Sequence, residues 1–184
     1  YEHILYDGRQ HVSMATVDGM AERSIVISGM SKTYAVTGWR VGTILASPRL
    51  TKPMRHVHDF LTIGAAAPLQ RAGATAYRFP PEYYAKLAAD YQSRRDRFCG
   101  YLAQAGFGHV LPEGAYYVMA DISSLGFAND REAAMALVRE AGVASVPGSS
   151  FWLDGQGGSS FVRFCFCKKD ETLDEAGRRL VAFA

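Results

Sequence analysis

Three cationic side chains stand where they could do chemistry. Residues 24–27, Ser-Ile-Val-Ile, read as a buried strand that ends in Ser28-Gly29-Met30-Ser31, which puts Lys32 on a strand-end loop. Arg40 follows on the same stretch, with Gly38, Trp39 and Gly42 around it. An amine can condense with an aldehyde and a guanidinium can grip a phosphate, so this stretch has the parts to hold a phosphorylated aldehyde. The third cation, Arg163, lies inside the apolar run Phe161-Val162-Arg163-Phe164-Cys165-Phe166. Burying a guanidinium there is costly unless an anion meets it, either a structural carboxylate or a ligand. Two other readings compete for Lys32. It could be a solvated surface lysine. Gly29-Met30-Ser31-Lys32-Thr33 could also end a phosphate-binding P-loop, but Ser31 and Val26 occupy the positions where that pattern needs glycine.

Composition limits the function classes. The 184 residues are 48% hydrophobic and 21% charged, close to globular averages, which argues against a disordered or fibrous chain. That length suits one good core or two modest ones. The net charge is +2 and the basic residues are scattered among acids, so neither nucleic acid nor a membrane surface is expected as a partner. No apolar run approaches the roughly 20 residues of a membrane span and no leader peptide is visible, so a cytoplasmic setting is expected. Cys99, Cys165 and Cys167 read as free thiols, and His56 and His58 point to different faces of a helix, so no metal is expected. The start at Tyr1-Glu2-His3 suggests a piece cut from something longer.

The order Ser31-Lys32, then Thr37-Gly38-Trp39-Arg40-Val41-Gly42, resembles the lysine segment of fold-type I pyridoxal-phosphate aminotransferases. These form the aspartate aminotransferase superfamily, class I/II, whose usual form is Ser-Lys-x-x-x-x-Thr-Gly-Trp-Arg-x-Gly. The resemblance implies that Lys32 condenses with the aldehyde of pyridoxal 5'-phosphate and later shuttles protons, while Arg40 grips the cofactor phosphate. Many relatives place a phosphate-touching hydroxyl where this chain has Gly29, so Ser28 or Ser31, or a backbone N–H, takes that part. Tyr1-Glu2-His3-Ile4-Leu5-Tyr6 resembles the end of the family's Asp-Glu-x-Tyr segment, which makes Tyr1 the phenol bound to the cofactor's O3' oxygen. Pro112-Glu113-Gly114-Ala115-Tyr116-Tyr117 is similar to a Pro-x-Gly-Ala-Phe-Tyr strand near the substrate side chain. Pro147-Gly148-Ser149-Ser150-Phe151 is similar to a Pro-Gly-x-x-Phe loop near the active site. Arg163 matches the arginine that takes the substrate α-carboxylate. In relatives the stretch 62–70 lies near the neighbouring subunit's cofactor, so a homodimer is implied.

The elements that must position these residues give an α/β fold: the C-terminal part of the large cofactor-binding domain plus a small α/β domain of the aminotransferase fold. The break at Pro80-Pro81 sets the expected domains at 1–85 and 86–184. A second strand is expected over 41–47, then a helix from Pro48 to about Leu61 that tolerates Pro53 only in its first turn. A long helix follows, with Tyr84, Leu87, Ala88, Tyr91, Phe98 and Leu102 on its buried stripe. His109 is expected on a loop before a short strand at Val110-Leu111, and another strand runs within 112–122. Asn129-Asp130 should cap a helix that buries Ala134, Leu137, Val138 and Ala141, and 143–146 should form a short strand. A flexible glycine-rich loop over 155–160 leads to the strand of Arg163, and Asp170 should cap a last helix that buries Leu173, Ala176 and Leu180. The implied reaction moves an amino group between an amino acid and a 2-oxo acid. The alternatives are a related lyase or decarboxylase, and the ligand-sensing domain of a transcriptional regulator. Taken alone, a chain lacking the family's earlier segments is expected to hold the cofactor weakly and show little activity.

Overall fold

In the computed structural model, which describes residues 1–153 and 157–184, the contacts divide the chain into two units. The first comprises Tyr1–His3 and Arg9–Leu87. Its sheet is a single antiparallel pair, β1 (Val26–Gly29) and β2 (Gly42–Leu45), in register from Val26 opposite Leu45 to Gly29 opposite Gly42. Residues 24–27 were expected to be buried, yet Ile25 is 48% and Ile27 75% exposed. A strand shows its alternate side chains to opposite faces, and here Ile27 and its cross-strand partner Ile44 share a face that no described element covers.

Two helices follow in this unit, α1 (Pro48–Thr62) and α2 (Ala67–Ala76). Proline at the first position of α1 is favourable because the missing N–H would have no helical partner there. Pro53 sits beyond the first turn, contrary to expectation, and removes the N–H that the Arg49 carbonyl would accept. Both residues are exposed, so water can take that place. The core of the unit is small: Met30, Val41 and Thr33 are buried, and a Cβ on Gly73 would come within 2.7 Å of the Met30 sulfur.

Helix α3 (Pro81–Gln104) starts at the proline pair, and the division between the units falls inside it, after Leu87. Phe98 and Leu102 are buried as the stripe predicts, but so is Arg95, a charge that the pattern did not mark. The second unit comprises Ile4–Gly8 and Ala88–Ala184. Its sheet is antiparallel throughout, in the order β3 (Gly108–His109), β4 (Tyr117–Asp121), β6 (Phe161–Cys165), β5 (Val146–Pro147). Val118, Ala120, Val162 and Phe164 form its buried face, with the rings of Phe98 and Phe107 edge-on to Phe164, and Leu102, Leu173 and Leu180 are buried in the same unit.

Several local expectations shift here. The short strand is Gly108–His109 and not Val110-Leu111, so His109 pairs with Ala120 while Val110 is 87% exposed. Asn129 does cap α4 (Asp130–Ala136), accepting from the N–H groups of Arg131 and Glu132. That helix then widens into a π-turn over Leu137–Ala141, which rotates the following side chains and leaves Val138 47% exposed. The strand expected at 143–146 is confined to Val146–Pro147. Helix α5 (Asp170–Phe183) has Lys169 at its cap, so Asp170 lies in the first turn, where its charge suits the helix dipole and pairs with Arg94 and Arg97. Gly177 is buried beneath the ring of Tyr101, while Ala176 is only half-buried. Part of the glycine-rich loop expected over 155–160 lies outside the described residues.

Candidate active site

The loop from Met30 to Val41 is closed on itself by its own backbone. Met30 N–H donates to the Val41 carbonyl at 3.1 Å, Val36 N–H to Ser31 at 3.1 Å, and Ala35 N–H to Lys32 at 3.3 Å. The Thr37 hydroxyl adds a bond to the Ser31 carbonyl at 3.2 Å. Two residues take left-handed backbone angles to complete the closure, Ala35 (φ 54°) and Arg40 (φ 54°, ψ 41°). Gly42 is needed where it stands, because a Cβ there would come 2.7 Å from the Ser28 carbonyl oxygen.

Tyrosines hold this loop from the side. Tyr83 donates its hydroxyl to the Thr33 carbonyl at 2.7 Å and its ring stacks on Tyr34, whose hydroxyl lies 2.8 Å from that of Tyr84. Burial, then the hydrogen bond to Tyr84, pushes the Tyr34 phenol well above its ordinary range. It therefore stays a neutral hydrogen-bonding group.

Between β1 and β2 lies an open cavity of about 290 Å³, lined by Ser28, Gly29, Ser31 and Arg40 among others. Arg40 is exposed and donates one N–H to the Thr37 carbonyl at 3.0 Å; among the described residues no carboxylate pairs with it. A guanidinium with unused donors beside two hydroxyls and a glycine backbone is chemistry suited to a tetrahedral anion. The residues present therefore fit the phosphate of a phosphorylated aldehyde. Lys32, half-buried, follows directly on Ser31 but is not among the cavity's lining residues, and neither is Tyr1.

Tyr1 is tied to this unit through its neighbours. The Ser28 hydroxyl donates to Glu2 Oε1 at 2.7 Å, and the His3 ring lies 4.2 Å from that of Tyr84. Burial pushes the Glu2 carboxyl up, but hydrogen bonds from Ser28 and the backbone outweigh it and bring its pKa down to about 2. The Ser28 proton is thus committed to Glu2, whereas the Ser31 hydroxyl donates to no acceptor among the described residues and has its proton to offer the cavity.

In the second unit Arg163 occupies the middle of β6, opposite Met119 on β4 and Val146 on β5. Its guanidinium carbon lies 4.2 Å from the Tyr117 ring centroid and 4.3 Å from that of Phe151. Among the described residues no carboxylate pairs with it, so the structural ion pair that the sequence left open is absent there. Arg95, by contrast, is both buried and paired: 2% exposed, it grips both oxygens of Asp7 at 2.6 and 3.0 Å and donates to Asp96 and the Pro112 carbonyl.

Against known proteins, a family model described as Aminotransferase class I and II matches residues 1–180. The chain belongs to the class I and II aminotransferases. As a member of that family it is 37% identical to the probable N-succinyldiaminopimelate aminotransferase DapC of Mycobacterium tuberculosis, over 100% of this chain and 48% of the relative. It is 35% identical to the methionine aminotransferase of Escherichia coli, over 98% of the chain and 46% of the relative. Among solved structures, the aromatic aminotransferase of Pyrococcus horikoshii superposes with a TM-score of 0.90 at 33% identity, covering 99% of this chain and 48% of that one. This aminotransferase chain spans about half the length of the curated relatives it matches.

Sequence reasoning missed the Glu2–Ser28 bond, the tyrosines that brace the lysine loop, and the Asp7–Arg95 pair. The signal for the tyrosines was present in the aromatic density of residues 77–84; for the other two there was none, because they join positions far apart in the chain.

Proposed function

We propose that this chain carries the lysine, the phosphate grip and the carboxylate receptor of an aminotransferase that moves an amino group between an amino acid and a 2-oxo acid. The observation that carries this reading is the closed loop of residues 30–41, in which Arg40 and Ser31 line one cavity and Lys32 follows directly on Ser31 in the chain. Family membership supports it. Pyridoxal phosphate, when bound, supplies an aldehyde carbon and a ring that takes up the electrons of the substrate's Cα–H bond.

The chain's residues do the rest. Arg40 and Ser31 hold the phosphate through charge-assisted hydrogen bonds. Ser28 lines the same cavity, but its proton goes to Glu2, so the hydroxyl donor to the phosphate is that of Ser31 and not that of Ser28. Tyr1 offers its hydroxyl to the cofactor's O3' oxygen. Lys32 Nζ would be the amine that holds the cofactor's aldehyde and, once free, the base that would carry a proton to and from the substrate Cα. Arg163 takes the substrate carboxylate. In this reading residues 1–85 belong to the large cofactor-binding domain and 86–184 to the small domain, and the intact protein is a homodimer.

Lys32→Ala in the intact protein should lower amino transfer by about 10³-fold or more, read as new amino acid by mass spectrometry, because covalent and proton-transfer roles are lost together. Undiminished turnover would refute the assignment.

A further inference from the structure

We propose that Tyr117 and Phe151 are positioning residues that hold the Arg163 guanidinium between their rings, so that its edge alone is offered and the site selects a planar carboxylate over tetrahedral anions. The inference rests on the reading of Arg163 as the substrate-carboxylate receptor, and it adds what fixes that receptor's shape.

The three side chains reach one another from different elements. Arg163 and Tyr117 are diagonal neighbours on one face of the sheet, as the pairing of Arg163 with Met119 requires. That face is part open: Met119 is 38% and Val146 36% exposed. Phe151 closes the 3-10 turn Gly148–Phe151, and that turn is anchored. Asp130, 2% exposed, accepts the Ser149 N–H at 2.6 Å, and a Cβ on Gly148 would lie 2.6 Å from the Phe161 carbonyl oxygen. Phe151 is therefore held at its root while its ring, in a residue 49% exposed, lies against the guanidinium.

A ring centroid within 4.3 Å of the guanidinium carbon fits a stacked cation–π contact. Two such rings strip water from the faces of the cation and leave its in-plane N–H groups to bind. A carboxylate meets those donors in the same plane through two parallel hydrogen bonds. A phosphonate or sulfonate must send a third oxygen out of that plane, toward the negative face of an aromatic ring. Shape and charge both then work against it.

The test uses the intact protein with propionate and ethylphosphonate as probes, measured by titration calorimetry, alongside KM and kcat for an amino acid substrate. We expect propionate to bind more tightly than ethylphosphonate. Phe151→Leu and Tyr117→Leu should each raise KM by roughly three- to thirtyfold, with the loss in KM and not in kcat, and should narrow the carboxylate preference. Phe151→Tyr, which keeps the ring, should restore both. If the two leucine variants keep KM and the preference while Arg163→Gln raises KM, the positioning role is overturned and the carboxylate reading stands. If Arg163→Gln leaves KM unchanged, the carboxylate reading itself falls.

Discussion

Single residues here carry opposing demands. Arg40 must hold a left-handed backbone (φ 54°, ψ 41°), a conformation that costs a residue with a Cβ roughly 1–2 kcal/mol. Arg40→Gly should therefore raise thermal stability by up to about 1 kcal/mol in the folded chain, while the affinity for pyridoxal phosphate, followed by absorbance titration, falls at least tenfold, roughly the loss of one charged hydrogen bond. A gain in stability with unchanged affinity would separate the arginine from the phosphate. Glu2 gives a pH prediction. Its carboxyl is held down to about 2 in the folded chain against an ordinary 4.5, so its contribution to stability is complete above pH 4.5 and is lost as the pH falls through about 2. Ser28→Ala removes the principal bond that lowers it, so acid unfolding, monitored by circular dichroism, should move to higher pH within that window and leave neutral-pH behaviour little changed.

Elements were legible where one strong local rule decided them. The proline pair and the apolar stripe of α3 mark a helix that runs Pro81–Gln104, and the apolar run around Arg163 marks β6. The lysine segment was legible from residue order alone, since Ser-Lys, Trp-Arg and Gly42 each meet a local need: a strand end, a left-handed corner, and a contact too close for a Cβ. Elements set by partners were not legible. Strand β3 is two residues long and exists because Gly108 and His109 meet Asp121 and Ala120 across the sheet; their own side chains favour no strand. The π-turn at Leu137–Ala141 slips the helical register by a step that periodicity cannot show, which is why Val138 was misplaced. Packing of α3 on α5 was likewise hidden. Gly177 lets Tyr101 sit so close that an added Cβ would lie 2.2 Å from the ring, so Gly177→Ala should destabilise the chain by about 1–3 kcal/mol in denaturant unfolding.

At the scale of the whole molecule, apolar residues in the first unit remain uncovered among the described residues. Phe60 is 92%, Leu61 75% and Ile63 86% exposed, and the cross-strand pair Ile27 and Ile44 is open as well. Surface of this kind favours association over solubility. Phe60→Ser should change stability by less than about 0.5 kcal/mol, because little is buried there, yet reduce self-association of the chain in sedimentation experiments. No described helix is long and apolar enough to cross a membrane. The passage from one unit to the other has a further consequence, because, apart from the crossings at His3–Ile4 and Gly8–Arg9 near the start, it takes place within α3, after Leu87. A protease seizes extended backbone, and residues 81–104 offer none until the helix melts. Digestion will not part the two halves under native conditions; it will clip elsewhere first.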